Sequence, residues 1–172
     1  MPEGKSFSIH KSKKSLVDKL LTARESLVKT LEETSHRLEI VRLVNEVDFI
    51  NDSKSTDLLS TRDSLKCIQK PVIWIACTPP HDRDYALIEK YVKYKIKAIV
   101  AFSSESDDIR RKLSDMVEKF DSAPSLKEAI VKAVSFAKKG DTILFSPSCA
   151  SFDMYDNYIE RGNAFKKIIN LL

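Results

Sequence analysis

Two short stretches carry the side chains whose types and spacing could do chemistry. The first is Asn51-Asp52-Ser53-Lys54-Ser55-Thr56-Asp57, which follows the apolar run Val47-Asp48-Phe49-Ile50. A carboxylate at Asp52 can accept from ribose hydroxyls or hold a cation's water, and the Lys54 ammonium can neutralise a phosphate or a carboxylate. The second is Ser146-Pro147-Ser148-Cys149-Ala150-Ser151-Phe152-Asp153, which follows Thr142-Ile143-Leu144-Phe145. The Ser148 and Ser151 hydroxyls, with backbone N–H groups at a helix start, suit a carboxylate. Each stretch also reads as a plain helix start, with Ser53 or Thr56 as cap in the first and the serines as caps in the second. His36-Arg37, ahead of both, reads as a structural pair at a helix–strand junction.

Both loops share one grammar: apolar run, small polar residues, helical period. In an open parallel sheet such loops lie at the carboxyl ends of strands, where ligands bind. The expectation is that they form two lips of one crevice. The elements that would position them alternate along the chain. Leu38 to Val44 and Val47 to Ile50 read as a β-hairpin about Asn45-Glu46. Leu58 to Leu65 is helical. Val72 to Ala76 and Ala98 to Phe102 are wholly apolar, as strands covered on both faces should be. Tyr85–Tyr94 and Asp107–Phe120 have helical spacing. Ser125 to Lys138 is a further helix, capped by Ser125 with Glu128 three residues on, and Gly140 reads as its C′ residue. Ile143 to Phe145 is the last strand and Asn157 to Leu171 the last helix. Strands alternating with helices imply right-handed crossovers and an α/β fold with a mostly parallel sheet.

Composition excludes several classes. The only glycines are Gly4, Gly140 and Gly162, which rules out GxGxxG and GxxxxGK[ST]. No loop of this chain can wrap a triphosphate by itself. Cys67, Cys77 and Cys149 are odd in number and far apart, so neither a disulfide framework nor a zinc site is expected. Each cysteine reads as a small apolar residue. No run is long enough for a membrane span, and the amino terminus lacks a signal peptide's apolar core, so a cytoplasmic protein is expected. The net charge of +4 resides in residues 1–24, where six Lys or Arg face two Asp or Glu. That leader is short and lacks interleaved aromatic residues, so it reads as a solvated arm, with no nucleic-acid or membrane partner. Residues 1–15 are expected to be disordered. Residues 16–33 form a leading helix with a stripe at Leu16, Leu20, Leu27 and Leu31. Burying four leucines is worth on the order of 6–12 kcal/mol before ordering costs. The helix is therefore expected to dock on the α/β domain or to form a homodimer.

Four motifs, in order, resemble the carboxy-terminal domain of the Mur ligases, in the branch of that family that adds D-glutamate. They are His36-Arg37-Leu38-Glu39, then Phe49-Ile50-Asn51-Asp52-Ser53-Lys54-Ser55-Thr56, then Ser146 to Asp153, then Asn157-Tyr158 with Glu160-Arg161-Gly162. The resemblance covers residues 34–172, and residues 16–33 resemble the closing helix of that family's central domain. It implies a Rossmann-like, six-stranded, mostly parallel sheet with one antiparallel hairpin strand and helices on both faces. The complete family enzyme is an ATP- and Mg-dependent ligase of peptidoglycan-precursor synthesis. It forms an acyl phosphate that the amine of D-glutamate attacks, and this domain closes over the site. By resemblance, Arg37 and Asp52 contact the nucleotide, with Asp52 on the ribose hydroxyls, and Lys54 lies near the phosphates. Thr56, Ser151 and the backbone at Tyr158 hold the carboxylates of D-glutamate.

The sequence departs from the family in two ways. The UDP-binding and P-loop domains do not appear in it, so the chain alone is expected to hold no catalytic residue, no metal ligand and no tightly bound cofactor. The family's glycine-rich loop with its lysine is here Cys77-Thr78-Pro79-Pro80-His81-Asp82-Arg83-Asp84-Tyr85. His81 falls at the lysine position, and a neutral imidazole is a weaker carboxylate partner than an ammonium. The opening Met-Pro-Glu-Gly does not resemble the central domain, which points to a short gene. Two readings follow: the D-glutamate-binding, nucleotide-contacting domain of a ligase, or a stand-alone, non-catalytic binding or regulatory relative.

Overall fold

The computed structural model describes residues 19–24, 34–77, 83–102, 107–151 and 154–172. The chain separates into two units, residues 1–34 and residues 35–172. In the first, residues 19–24 are helical, and the rest of the expected leading helix lies outside the described residues.

The second unit alternates strands and helices. Its strands are β1 (Glu39–Val44), β2 (Val47–Asn51), β3 (Val72–Ala76), β4 (Ile96–Phe102), β5 (Lys119–Ala123) and β6 (Thr142–Phe145). Its helices are α1 (Leu58–Cys67), α2 (Ala86–Lys95), α3 (Asp107–Leu113), α4 (Leu126–Phe136) and α5 (Tyr158–Ile169). The sheet order is β1-β2-β6-β3-β4-β5. Only β1 runs antiparallel; every other pair is parallel.

Successive strand residues point to opposite faces, and each face is covered. On one side Phe49, Ile73, Ile75, Ile143 and Phe145 pack with Leu126, Ile130, Phe165 and Ile169 of α4 and α5. On the other, Ile50, Trp74, Ile99 and Leu144 pack with Leu65, Ile88 and Leu113 of α1, α2 and α3. This two-sided burial explains why β3 and β4 are apolar without a break. Asn45 (φ 49) and Glu46 (φ 61) make the hairpin turn with two left-handed residues, the backbone that matches strand twist.

Two expected elements differ. The helix expected over Asp107–Phe120 ends at Leu113, passes through a 3₁₀ turn at Ser114–Met116, and gives way to β5. Gly140 is not the C′ residue of α4, because that helix ends at Phe136 with Ala137 as its C-cap. Gly140 (φ 87) instead turns the chain into β6, and its N–H donates to Glu46 O at 2.9 Å. The Ser125 cap is as expected: Glu128 N donates to Ser125 Oγ at 3.2 Å. No helix among the described residues is long and apolar enough to cross a membrane.

The strand order positions the site. β2 and β6 are parallel neighbours, with Asn51 opposite Phe145, so their carboxyl-end loops leave the sheet side by side.

Candidate functional site: two stitched strand-end loops

The loop after β2 is held from three directions. Asp52 N donates to Phe145 O at 2.8 Å, which extends the β2–β6 ladder by one step. Lys54 N donates to His36 O at 3.0 Å, and Ser53 N to Asn51 Oδ1 at 3.2 Å. Neither Ser53 nor Thr56 caps α1. The cap is Asp57, whose Oδ1 accepts from Ser60 N at 2.7 Å.

Asp52 is fully buried, with 0% exposure. Its Oδ1 accepts from Leu38 N at 3.2 Å and its Oδ2 from Ser146 Oγ at 2.7 Å. The Ser146 hydroxyl is also 2.7 Å from Thr61 Oγ1. Burial raises the Asp52 carboxyl above its usual range, against the opposing pull of Ser146, Ser64 and the Leu38 amide. The carboxylate expected on a ribose is thus turned inward, where it ties the loop after β2 to the loop after β6.

The loop after β6 is fastened as closely. Ser146 O accepts from the Trp74 indole at 2.7 Å, and Pro147 O from Cys77 N at 2.9 Å. Ser148 sits at φ 54 and donates its N–H to Ser55 O at 2.9 Å, a direct bond between the two loops. Ser148 O also accepts from the Arg83 guanidinium. The serines do not stand at a helix start. Asn157 caps α5, its Oδ1 accepting from Ile159 N and Glu160 N, both at 2.9 Å. Ser151 is buried, and its carbonyl accepts from Met154 N and Tyr155 N.

Arg161 on α5 closes the arrangement. Its Nη1 donates to Cys149 O (2.9 Å) and Ala150 O (3.1 Å), and its Nη2 to Ser53 O (2.9 Å). It is 1% exposed, and no carboxylate among the described residues pairs with it. The next residue lets the helix approach. A Cβ on Gly162 would lie 2.2 Å from His36 Nδ1 and 2.3 Å from Ser53 Oγ. His36, at φ 63, is buried; its N–H donates to Glu39 Oε2 at 3.1 Å, and its Nδ1 is 3.0 Å from Asn51 Nδ2. Burial is the main cause that lowers its pKa, helped by the nearby Lys166 ammonium. Glu39 Oε1 pairs with Lys166 at 3.1 Å.

The two loops are therefore one platform rather than two parted lips. Concavities among the described residues also lie elsewhere, the most voluminous of them, about 630 Å³, against Ala86, Glu89, Lys93 and Met116. One of about 340 Å³ is lined by Val44, Val47, Phe49, Val134 and Ile143, at the opposite end of β2 and β6. Another, of about 430 Å³, is lined by Lys70, Lys93, Lys95 and Lys97, near the amino ends of β3 and β4.

Of the expected site residues, Arg37, Lys54, Thr56 and Tyr158 lie on the platform's outer side. Arg37 and Thr56 are exposed, and Lys54 and Tyr158 half-buried. Arg37 makes no hydrogen bond or ion pair with the described residues. Lys54 Nζ stands 5.9 Å from the centre of the Tyr158 ring, whose plane is nearly perpendicular to that of His36. Asp52 and Ser151 are buried beneath, and His81 lies outside the described residues. The sequence reading gave no role to Arg161, Gly162, Asn51 or Glu39. All four stand in the quoted motifs, and Gly162 carried a physical signal besides: a glycine inside a helical period usually marks a close approach.

Residues 36–149 match the family model of the Mur ligase, glutamate ligase domain. Among curated proteins, the UDP-N-acetylmuramoylalanine--D-glutamate ligase of Cytophaga hutchinsonii is 38% identical over 142 residues, 83% of this chain and 32% of that protein. The protein of the same name in Salinibacter ruber is 34% identical over 149 residues, 87% of this chain and 32% of its own length. The chain thus spans about a third of the length of the curated relatives it matches. Among solved structures, MurF ligase from Thermotoga maritima in complex with ADP aligns with a TM-score of 0.46 at 14% identity, covering 87% of this chain and 38% of that one. E. coli FolC in complex with ADP aligns with a TM-score of 0.49 at 16% identity, covering 78% of this chain and 31% of that one. The chain belongs to the Mur ligase family, through that family's glutamate ligase domain.

Proposed function

We propose that this chain is the amino-acid-presenting domain of a cytoplasmic, ATP-dependent peptidoglycan-precursor ligase, with D-glutamate as its amino acid. The observation that carries the reading is the outer side of the platform. Arg37, Lys54, Thr56 and Tyr158 put two cations and two hydroxyls beside a rigid pair of strand-end loops. Such a set suits a dicarboxylate or a phosphate. The relatives that share 34–38% identity bear the name of a D-glutamate ligase, which favours the dicarboxylate.

The nucleotide fits only in part. Arg37 and Lys54 suit its phosphates, whereas Asp52, bonded inward, does not suit the ribose. Among the described residues no group of three or more His, Cys, Asp or Glu could hold a metal ion. The reading assigns magnesium ligands, the phosphate-wrapping loop and the UDP-sugar site to other domains of the complete enzyme.

The inward Asp52 favours a second reading, a binding or regulatory relative that no longer meets a nucleotide. Calorimetric titration separates the two. The ligase reading expects millimolar or tighter binding of D-glutamate, weaker binding of L-glutamate, and a heat of binding with ADP. D-glutamate binding without ADP supports the second reading. Silence toward all three ligands overturns the ligase reading.

A further inference from the structure

Cys77 and Cys149 were expected to be small, half-buried apolar residues; both are buried in the core, and their surroundings add a chemical role. They leave the sheet from adjacent strands: β3 and β6 pair in parallel with Ile75 opposite Phe145, and Cys77 N donates to Pro147 O at 2.9 Å. Both side chains are buried in the same core layer. The Arg161 guanidinium lies against one of them, with Nη1 3.7 Å from Cys149 Sγ. That guanidinium is buried, its Nε has no hydrogen-bond partner, and its other contacts are neutral carbonyls. A thiolate at Cys149 is the anion the pocket lacks. Arg83, bonded to Ser148 O, adds a second guanidinium nearby.

We propose that Cys149 and Cys77 are a thiol pair that a hydroperoxide oxidises to a disulfide across the two loops. Cys149 is the attacking sulfur and Cys77 the resolving one. The Cys149 thiolate attacks a peroxide oxygen; an S–O bond forms, the O–O bond breaks, and the departing hydroxide takes up a proton to leave as water. The Cys77 sulfur then attacks the sulfenic sulfur. An S–S bond forms, the S–O bond breaks, and the hydroxide released takes the Cys77 proton. Two thiols lose two electrons in all, and one hydrogen peroxide becomes two waters.

The environments fit these roles. The neighbouring Cys77 thiol and then Arg161 and Arg83 lower the Cys149 thiol's pKa against the effect of burial. The Cys149 thiol and then burial push Cys77 upward. A low-pKa attacking thiol beside a resolving cysteine is the usual design of a peroxide-responsive pair. Cys77, the more exposed of the two at 9% against 2% for Cys149, marks the side from which a molecule as small as hydrogen peroxide would approach. The product would tie the segment after β3 to the loop after β6, so the platform's stability would depend on redox state.

The test uses the full chain with exposed Cys67 as an internal comparison. The protein is treated with hydrogen peroxide, denatured, alkylated and mapped without reduction. The expected result is the loss of two hydrogen atoms, the loss of both Cys77 and Cys149 as alkylatable thiols before Cys67, and one peptide pair joined through them. Reduction with dithiothreitol should restore both thiols. In Cys77→Ala, dimedone should trap a sulfenic acid at Cys149. In Cys149→Ala, Cys77 should remain a thiol. Oxidation of Cys67 first, over-oxidation of Cys149 without joining, or a sulfenic acid on Cys77 instead would each overturn the proposal. The peptide map of the unsubstituted chain decides the matter even where a variant fails to fold.

Discussion

The inner and outer sides of the platform invite comparison. Inside, His36, Asn51, Asp52, Ser146 and Arg161 are buried, and apart from Arg161 Nε their side-chain polar groups bond to one another and to backbone and side-chain groups of the loops. Outside, Arg37 and Thr56 stand exposed within a few residues of them. The residue types overlap, yet the work differs. Inner side chains hold the loops in register, and outer ones are the set proposed above to meet a ligand. A motif read from sequence mixes the two groups, and only burial separates them.

If that division holds, substitutions should sort by side. The largest loss is expected from Arg161→Ala, which strands the carbonyls of Ser53, Cys149 and Ala150. Urea unfolding should show roughly 3–5 kcal/mol, since bonds to a charged donor are the stronger kind and their loss leaves buried acceptors unpaired. Gly162→Ala comes next. Its methyl must displace His36 or Ser53, and overpacking of this kind costs about 1–3 kcal/mol.

Acidification should also act through the inner side. His36 has a lowered pKa, chiefly through burial, so its neutral form is favoured in the folded state. The unfolded chain then binds the proton more readily. The His36 contribution is present above the ordinary value of 6.5 and is lost as pH falls below it toward the folded pKa. His36→Asn, which tolerates the left-handed backbone, should flatten that slope in urea titrations run from neutral to mildly acid pH. Asp52 works in the opposite sense. Its raised pKa makes its contribution greatest below the ordinary 3.8 and lost as pH rises through the folded value. Asp52→Asn should therefore gain on the unsubstituted chain as pH rises. On the outer side, the exposed Arg37 and Thr56 are the cleaner probes: Arg37→Ala and Thr56→Val should change stability by less than about 0.5 kcal/mol while abolishing the calorimetric response to D-glutamate.

Much of the fold is legible in the amino-acid sequence. β3 and β4 are unbroken apolar runs, and Asn45-Glu46 separates two strands at hairpin spacing. β5 was hidden because Lys119 to Ala123 is an edge strand with little apolar content. Ile109, Leu113, Met116, Val117 and Phe120 also carried a helical period through it. The α/β class, the order of elements and the neighbouring loops followed from pattern. The stitching did not, because Arg161 meets Ser53 across 108 residues of chain and no local spacing encodes that contact. The bonds of Asp52 were hidden for a related reason: a carboxylate among small polar residues looks like a ligand group, and nothing in its spacing points to its burial against Leu38 and Ser146.

The most direct test of the platform is amide chemical-shift mapping of the chain titrated with D-glutamate, with L-glutamate as control. The account expects shifts at Arg37, Lys54, Thr56 and Tyr158 that saturate together with D-glutamate alone, while the amides of Asn51 and Ser146 stay in place. Shifts confined to the opposite end of the sheet, around Val44 and Val134, would contradict it.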